Sequence, residues 1–178
     1  LHSFFKLPFH PLLPNDSMYS VRNIRNTLKY NSEKIKIIRE VELIIIDEIS
    51  MVRADIIDFL DKILRVYCRN MREPFGGKQL LLVGDIFQLE PVVREDDRRL
   101  LSPFYRSSFF FNAKVFEYFK LVSIELKKVY RQSDPVFISI LDHIRTSQVP
   151  MQDLQRLNQR VGAQLDESDS KLAITLST

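Results

Sequence analysis

Leu43-Ile44-Ile45-Ile46-Asp47-Glu48-Ile49-Ser50 is the stretch that decides the fold. It closes a run that begins at Val41, and a continuous apolar run of this length suits a strand buried on both faces, as in a parallel sheet covered by helices. A second run, Gln79-Leu80-Leu81-Leu82-Val83, also ends in an acid, at Gly84-Asp85. Between the two, residues 54–69 place Ile56, Leu60, Ile63, Leu64 and Tyr67 on one helical face, with Asp58, Asp61, Lys62 and Arg65 elsewhere. Strand, helix, strand is the unit of a parallel α/β sheet, whose strands turn their carboxyl ends toward the ligand crevice. Asp47 and Asp85 are therefore expected at one edge of the sheet.

Outward from this centre the pattern stays α/β. Pro8, Pro11 and Pro14 make residues 7–16 an extended excursion. Ser32 is placed to cap a helix over 33–40, and Glu73-Pro74-Phe75-Gly76-Gly77 breaks the helix of 54–69. Residues 94–112 read as loop, with Asn112 capping a short helix through Phe119. Val122 to Leu126 alternates as a strand. Ser133-Asp134-Pro135 opens a helix with proline at its first position, carrying Phe137, Ile140, Leu141 and Ile144 inward. A further helix near 151–161 ends at Gly162, and Lys171 to Leu176 alternates as a strand.

The 178 residues suffice for one domain with a sizeable core, and 45% apolar with 28% charged residues exclude a disordered tail. A net charge of +3 permits a nucleic-acid partner without requiring one. The lone Cys68 makes no internal disulfide, so a reducing compartment is expected, and no apolar run approaches the roughly 20 residues needed to span a bilayer. The chain reads as soluble and intracellular: cytoplasmic in a bacterium, nuclear or mitochondrial in a eukaryote. An apolar-aromatic start without Met and an end inside a β-rich stretch lead us to expect a fragment.

Three places carry candidate chemistry. In nucleoside-triphosphatases a first strand-end carboxylate holds Mg²⁺ and a second orients and deprotonates the attacking water, which gives Asp47 and Glu48 distinct roles. The plainer alternative is that this pair merely begins the next helix, where negative charge favours the dipole. Gly84-Asp85-Ile86-Phe87-Gln88-Leu89-Glu90-Pro91-Val92 offers, in Gln88, an amide able to bond the γ-phosphate or its water, or else a solvated turn residue. Val129-Tyr130-Arg131-Gln132 places a guanidinium where it can neutralise a transferring phosphoryl group, or where it is simply a surface arginine beside a helix cap.

With these motifs in order, the chain resembles the Pif (petite-integration-frequency) family of superfamily-one DNA helicases, relatives of the RecD helicases. The resemblance rests on His2-Ser3-Phe4-Phe5 with Leu7-Pro8-Phe9, on Ile46 to Val52, and on Pro74-Phe75-Gly76-Gly77 leading into Gly84 to Val92. Tyr130-Arg131-Gln132 and Ile174-Thr175-Leu176 complete it. It implies a RecA-like P-loop NTPase motor domain, mostly parallel sheet flanked by helices, that hydrolyses ATP and moves 5′ to 3′ along single-stranded DNA. By this resemblance Asp47 is the Mg²⁺ carboxylate, Glu48 the catalytic base, Gln88 the γ-phosphate sensor and Arg131 the arginine finger. His2, Ser3 and Phe5 belong to the segment near the single strand, with core packing an equal alternative for Phe4 and Phe5. Residues 1–132 are expected to form the first motor domain, with a wedge-like insertion near 7–31, and residues 133–178 a helical segment and the start of the second. The implied partners are single-stranded DNA and duplex junctions, with no membrane.

Two departures stand out. Glu90 replaces the family's usual second proline, and no G-x-x-x-x-G-K-[ST] loop occurs; Gly77-Lys78 is followed by Gln79. The family's loop precedes the His-Ser-Phe-Phe segment, so the chain as given is expected to bind ATP weakly and not to turn it over. The alternatives are a degenerate motor acting as a nucleic-acid- or partner-binding module, and an unrelated ATPase working on protein substrates.

Overall fold

The computed structural model describes residues 1–130 and 132–162. They fall in two compact units, divided between Ile124 and Glu125. The first holds α1 (His2–Phe5), α2 (Val21–Leu28), α3 (Ser32–Glu40), β1 (Leu43–Ile46), α4 (Ala54–Cys68), β2 (Gln79–Leu82) and α5 (Glu95–Leu101). In the second are α6 (Pro135–Arg145) and α7 (Met151–Asn158).

The two acid-tipped runs pair as expected. β1 and β2 are parallel, with Leu43 opposite Gln79 and Ile46 opposite Leu82. Ile44, Ile46, Leu80 and Leu82 turn toward the core, whereas Leu43, Ile45 and Leu81 are exposed. Burial on both faces is thus corrected to burial on one: among the described residues no other strand joins the ladder, and alternate side chains face solvent.

α4 is the post around which the unit packs. Ile56, Leu60, Ile63, Leu64 and Tyr67 are all buried, but so are Asp58 and Asp61, which the spacing places off that apolar face, and Asp55 beside them. Each is buried because it satisfies loop backbone. Asp55 accepts from the Leu12 amide at 2.9 Å and Asp61 from that of Phe75 at 2.5 Å. Asp58 takes the amides of Lys114 and Val115 at 3.0 and 2.9 Å and the Tyr105 hydroxyl at 2.9 Å. The 114–117 turn is therefore capped by α4, not by Asn112. Past α4, Phe75 and Gly76 adopt φ of 52° and 64°. A side chain on Gly76 would meet the Leu64 carbonyl oxygen at 2.7 Å, so glycine lets this turn close against the helix.

Other expectations shift. The cap of α3 is Asn31, whose side chain accepts from the Lys34 amide, one residue before Ser32. α2, capped by Ser20, lies in a stretch for which the sequence suggested no element, and α5 lies where loop was expected. Val122 to Leu126 forms no strand: Val122, Ile124 and Leu126 are 82–89% exposed, and alternation without a neighbouring strand makes no ladder.

In the second unit, Asp134 caps α6 through the amides of Val136 and Phe137, with Pro135 at the first position as its sequence dictates. Ile140 alone of the expected inward set is buried. His143 on α6 pairs with Asp153 on α7 at 2.6 Å. The strand expected over 171–176 lies outside the described residues. Among the described residues no helix is long and apolar enough to cross a membrane.

Candidate nucleotide and nucleic-acid site

Asp47 and Glu48 leave β1 at its carboxyl end, both exposed. Glu48 is left-handed, with φ 52° and ψ 43°, and its amide donates to the Asp47 Oδ1 at 2.9 Å. A non-glycine residue in this region carries strain of order 1 kcal/mol or more, a cost concentrated at functional sites. The next turn is stitched to the neighbouring strand. Val83 donates to the Ile46 carbonyl at 2.9 Å, and Ile49 donates to the Val83 carbonyl at 3.0 Å. Gly84 then packs so closely that an added side chain would stand 3.0 Å from the Ile49 nitrogen and 3.3 Å from that of Ser50. The crossing is possible because glycine occupies it.

The second motif folds on Asp85. Its Oδ1 accepts from the Phe87 amide at 3.0 Å, and its Oδ2 accepts from the Gln88 side-chain amide at 3.0 Å. An aspartate binding the amide two residues on is a local turn device, and here it also aims the glutamine. Asp47, Glu48 and Gln88 thus stand on loops leaving the same edge of the sheet, as their spacing predicts. Asp85 and Ser50 were missed as parts of the site. Asp85 reads as a strand-end acid, and the role of Ser50 depends on burial: it is 1% exposed and its hydroxyl lacks a partner among the described residues. Arg131 lies outside the described residues.

No cluster of three or more His, Cys, Asp or Glu side chains is arranged for a metal among the described residues.

The His2-to-Phe5 segment is a single helical turn whose rings part ways. Phe5 is 4% exposed and packs in the core, its carbonyl accepting from the Tyr30 hydroxyl, so base stacking by Phe5 is corrected to core packing. Phe4 stays half-exposed, with the Lys34 ammonium 4.4 Å from its centroid. Ser3 is exposed. His2 stacks on Phe9, with centroids 5.2 Å apart and planes within 5°. Burial, helped by the charge of Arg53, holds the His2 imidazole below its usual range. His2, Phe9 and Arg53 line, with Ile46 and Asp47, a cleft of about 1020 Å³.

Parallel strands whose carboxyl ends carry Asp-Glu and Gly-Asp-x-x-Gln define the class: an α/β, RecA-like motor domain. The profile of PIF1-like helicases matches residues 1–154, and the chain belongs to that family. It is 35% identical over 131 residues to the ATP-dependent DNA helicase RRM3 of Saccharomyces cerevisiae, covering 74% of this chain and 17% of that protein. A Pif1 helicase from Bacteroides, solved with ADP-AlF3 and single-stranded DNA, superposes with a TM-score of 0.78 at 43% identity, covering 86% of this chain and 34% of that one. The Pif1 chain solved for DNA unwinding at forked duplex DNA gives a TM-score of 0.80 at 43% identity, over 88% of this chain and 36% of that one. The chain therefore spans well under half the length of these relatives.

Proposed function

We propose that this chain is part of an ATP-driven DNA helicase that moves 5′ to 3′ on single-stranded DNA and opens duplex junctions. The observation that carries the reading is the stitching of two acid-tipped parallel strands through Gly84, which brings Asp47, Glu48 and Gln88 to one edge. Support for ATP and DNA comes from the relatives, one an ATP-dependent DNA helicase and another a complex with ADP-AlF3 and single-stranded DNA.

In this reading Asp47 would hold Mg²⁺, which would supply neutralisation of the charge on the transferring phosphate. Glu48, whose carboxylate has no partner among the described residues, takes the proton of the attacking water. Gln88, steadied by Asp85, reports on the γ-phosphate, and Arg131 serves as the finger that stabilises charge on the transferring group. The 178 residues alone do not turn over ATP, because no G-x-x-x-x-G-K-[ST] loop within them cradles the phosphates.

Unwinding of partial duplexes by the natural protein that carries this chain tests the reading. A duplex with a 5′ single-stranded tail is opened with ATP and one with only a 3′ tail is not. Binding of tailed DNA with no ATP-dependent opening of either substrate would leave a nucleic-acid-binding module instead.

A further inference from the structure

We infer that the stacked ring pair of His2 and Phe9 is a platform on which one base of single-stranded DNA stacks, through the free face of Phe9. The inference rests on the DNA-motor reading and deepens it.

A single exposed aromatic ring is ordinary on a protein surface. Phe9 is distinguished by the way it is held. Its ring is 84% exposed, yet Leu7 before it and Leu12 after it are 4% and 0% exposed. Apolar anchors thus bury the chain on both sides of a ring that is left outside. The backbone between them is tied as well. The Arg53 guanidinium donates to the carbonyls of Phe9 and His10, each at 3.4 Å. Arg53 is itself clamped on Asp55 by bonds of 2.9 and 2.7 Å, and Asp55 also accepts from the Leu12 amide. Phe9 therefore sits on a segment fixed at Leu7, Arg53 and Leu12, and its second face is open while His2 covers the first.

A rigid aromatic face costs little entropy to use, and every nucleobase presents a π-face that stacks on it irrespective of sequence. The surrounding charge fits the backbone that such a base would bring. Arg53 lies at the stack, its guanidinium 3.4 Å from the Phe9 carbonyl. A phosphate flanking a base on Phe9 would meet that cation. The open ring the resemblance led us to seek at Phe5 is buried; the structure presents it at Phe9.

Binding of fluorescein-labelled oligodeoxythymidine to the natural protein carrying this chain, followed by anisotropy, tests the platform. Phe9→Ala is expected to raise Kd about 5- to 100-fold, the range for loss of one base–aromatic stack. The thermal midpoint is expected to stay unchanged, since the ring contributes little to the core. Phe9→Trp is expected to hold Kd within about twofold, with indole emission quenched as DNA is added. If the wild type binds the oligonucleotide but Phe9→Ala binds it equally well, the platform is overturned and the motor reading stands. Unquenched tryptophan in a DNA-bound Phe9→Trp protein overturns it too. A wild type that does not bind the oligonucleotide overturns both.

Discussion

Gly84→Ala separates the two consequences of the crossing between motif loops. The added methyl group would stand 3.0 Å from the Ile49 nitrogen, 3.1 Å from its Cγ2 and 3.3 Å from the Ser50 nitrogen. Two of these neighbours are backbone atoms, the Ile49 nitrogen being held by the Val83 carbonyl, so the loops must part by a few tenths of an ångström. Overpacking of this kind costs about 1–3 kcal/mol. Against it, alanine reduces the freedom of the unfolded chain and returns about 0.4–1 kcal/mol, since Gly84 is not in the left-handed region. The net loss of stability is therefore about 0–2.6 kcal/mol. The chemistry is affected as well, because the same displacement separates Glu48 from Gln88. If a misplacement of ~1 Å costs about a hundredfold, a few tenths cost roughly tenfold in kcat. DNA-stimulated ATPase of the natural protein, measured beside its thermal midpoint, reads both quantities. A variant with wild-type kcat would refute the argument that this contact sets the site.

Further outcomes follow from buried groups. Asp58→Ala leaves the Tyr105 hydroxyl and the amides of Lys114 and Val115 without their acceptor, and is expected to cost about 2–5 kcal/mol, a fall of roughly 5–15 °C in Tm by calorimetry. Burial, against the pull of those hydrogen bonds, holds the Asp58 carboxyl above its usual range. The folded state thus keeps this proton to higher pH than the unfolded chain, and stability is lost as pH rises through the folded value. Asp58→Asn is expected to flatten that slope in unfolding curves taken across the acid range. Ser50→Ala removes a buried, unpartnered hydroxyl, so the 178-residue chain is expected to be as stable as the wild type or up to about 1 kcal/mol more stable in urea. A clear loss would mean that the hydroxyl has a partner.

Where the sequence was legible, local chemistry and long-range packing agreed. Two apolar runs with acidic ends have few alternatives to parallel strands sharing an edge, and Asp134-Pro135 starts a helix by rules needing no tertiary contact. The failures lie where contacts between distant residues decide. Asp58 and Asp61 fall off the apolar face of α4 in the sequence, and only the loops they bind account for their burial. Phe5 and Phe9 are alike in sequence, and only packing buries one and leaves the other out. Val122 to Leu126 has the alternation of a strand, but pairing is a property of two segments. At the site, Asp47, Glu48 and Gln88 were readable from the acid-tipped strands. The Asp85 hold on Gln88 and the close passage of Gly84 by Ser50 emerge only from the folded loops.

The central claim, that Glu48 is the base of an ATP-hydrolysing motor, meets its most direct test in the single-strand-stimulated ATPase of the natural protein and its Glu48→Gln variant. The account predicts a kcat lowered about 10²–10⁴-fold, as for loss of a general base, with nucleotide and DNA binding preserved. A Glu48→Gln protein that hydrolyses ATP at the wild-type rate would contradict it.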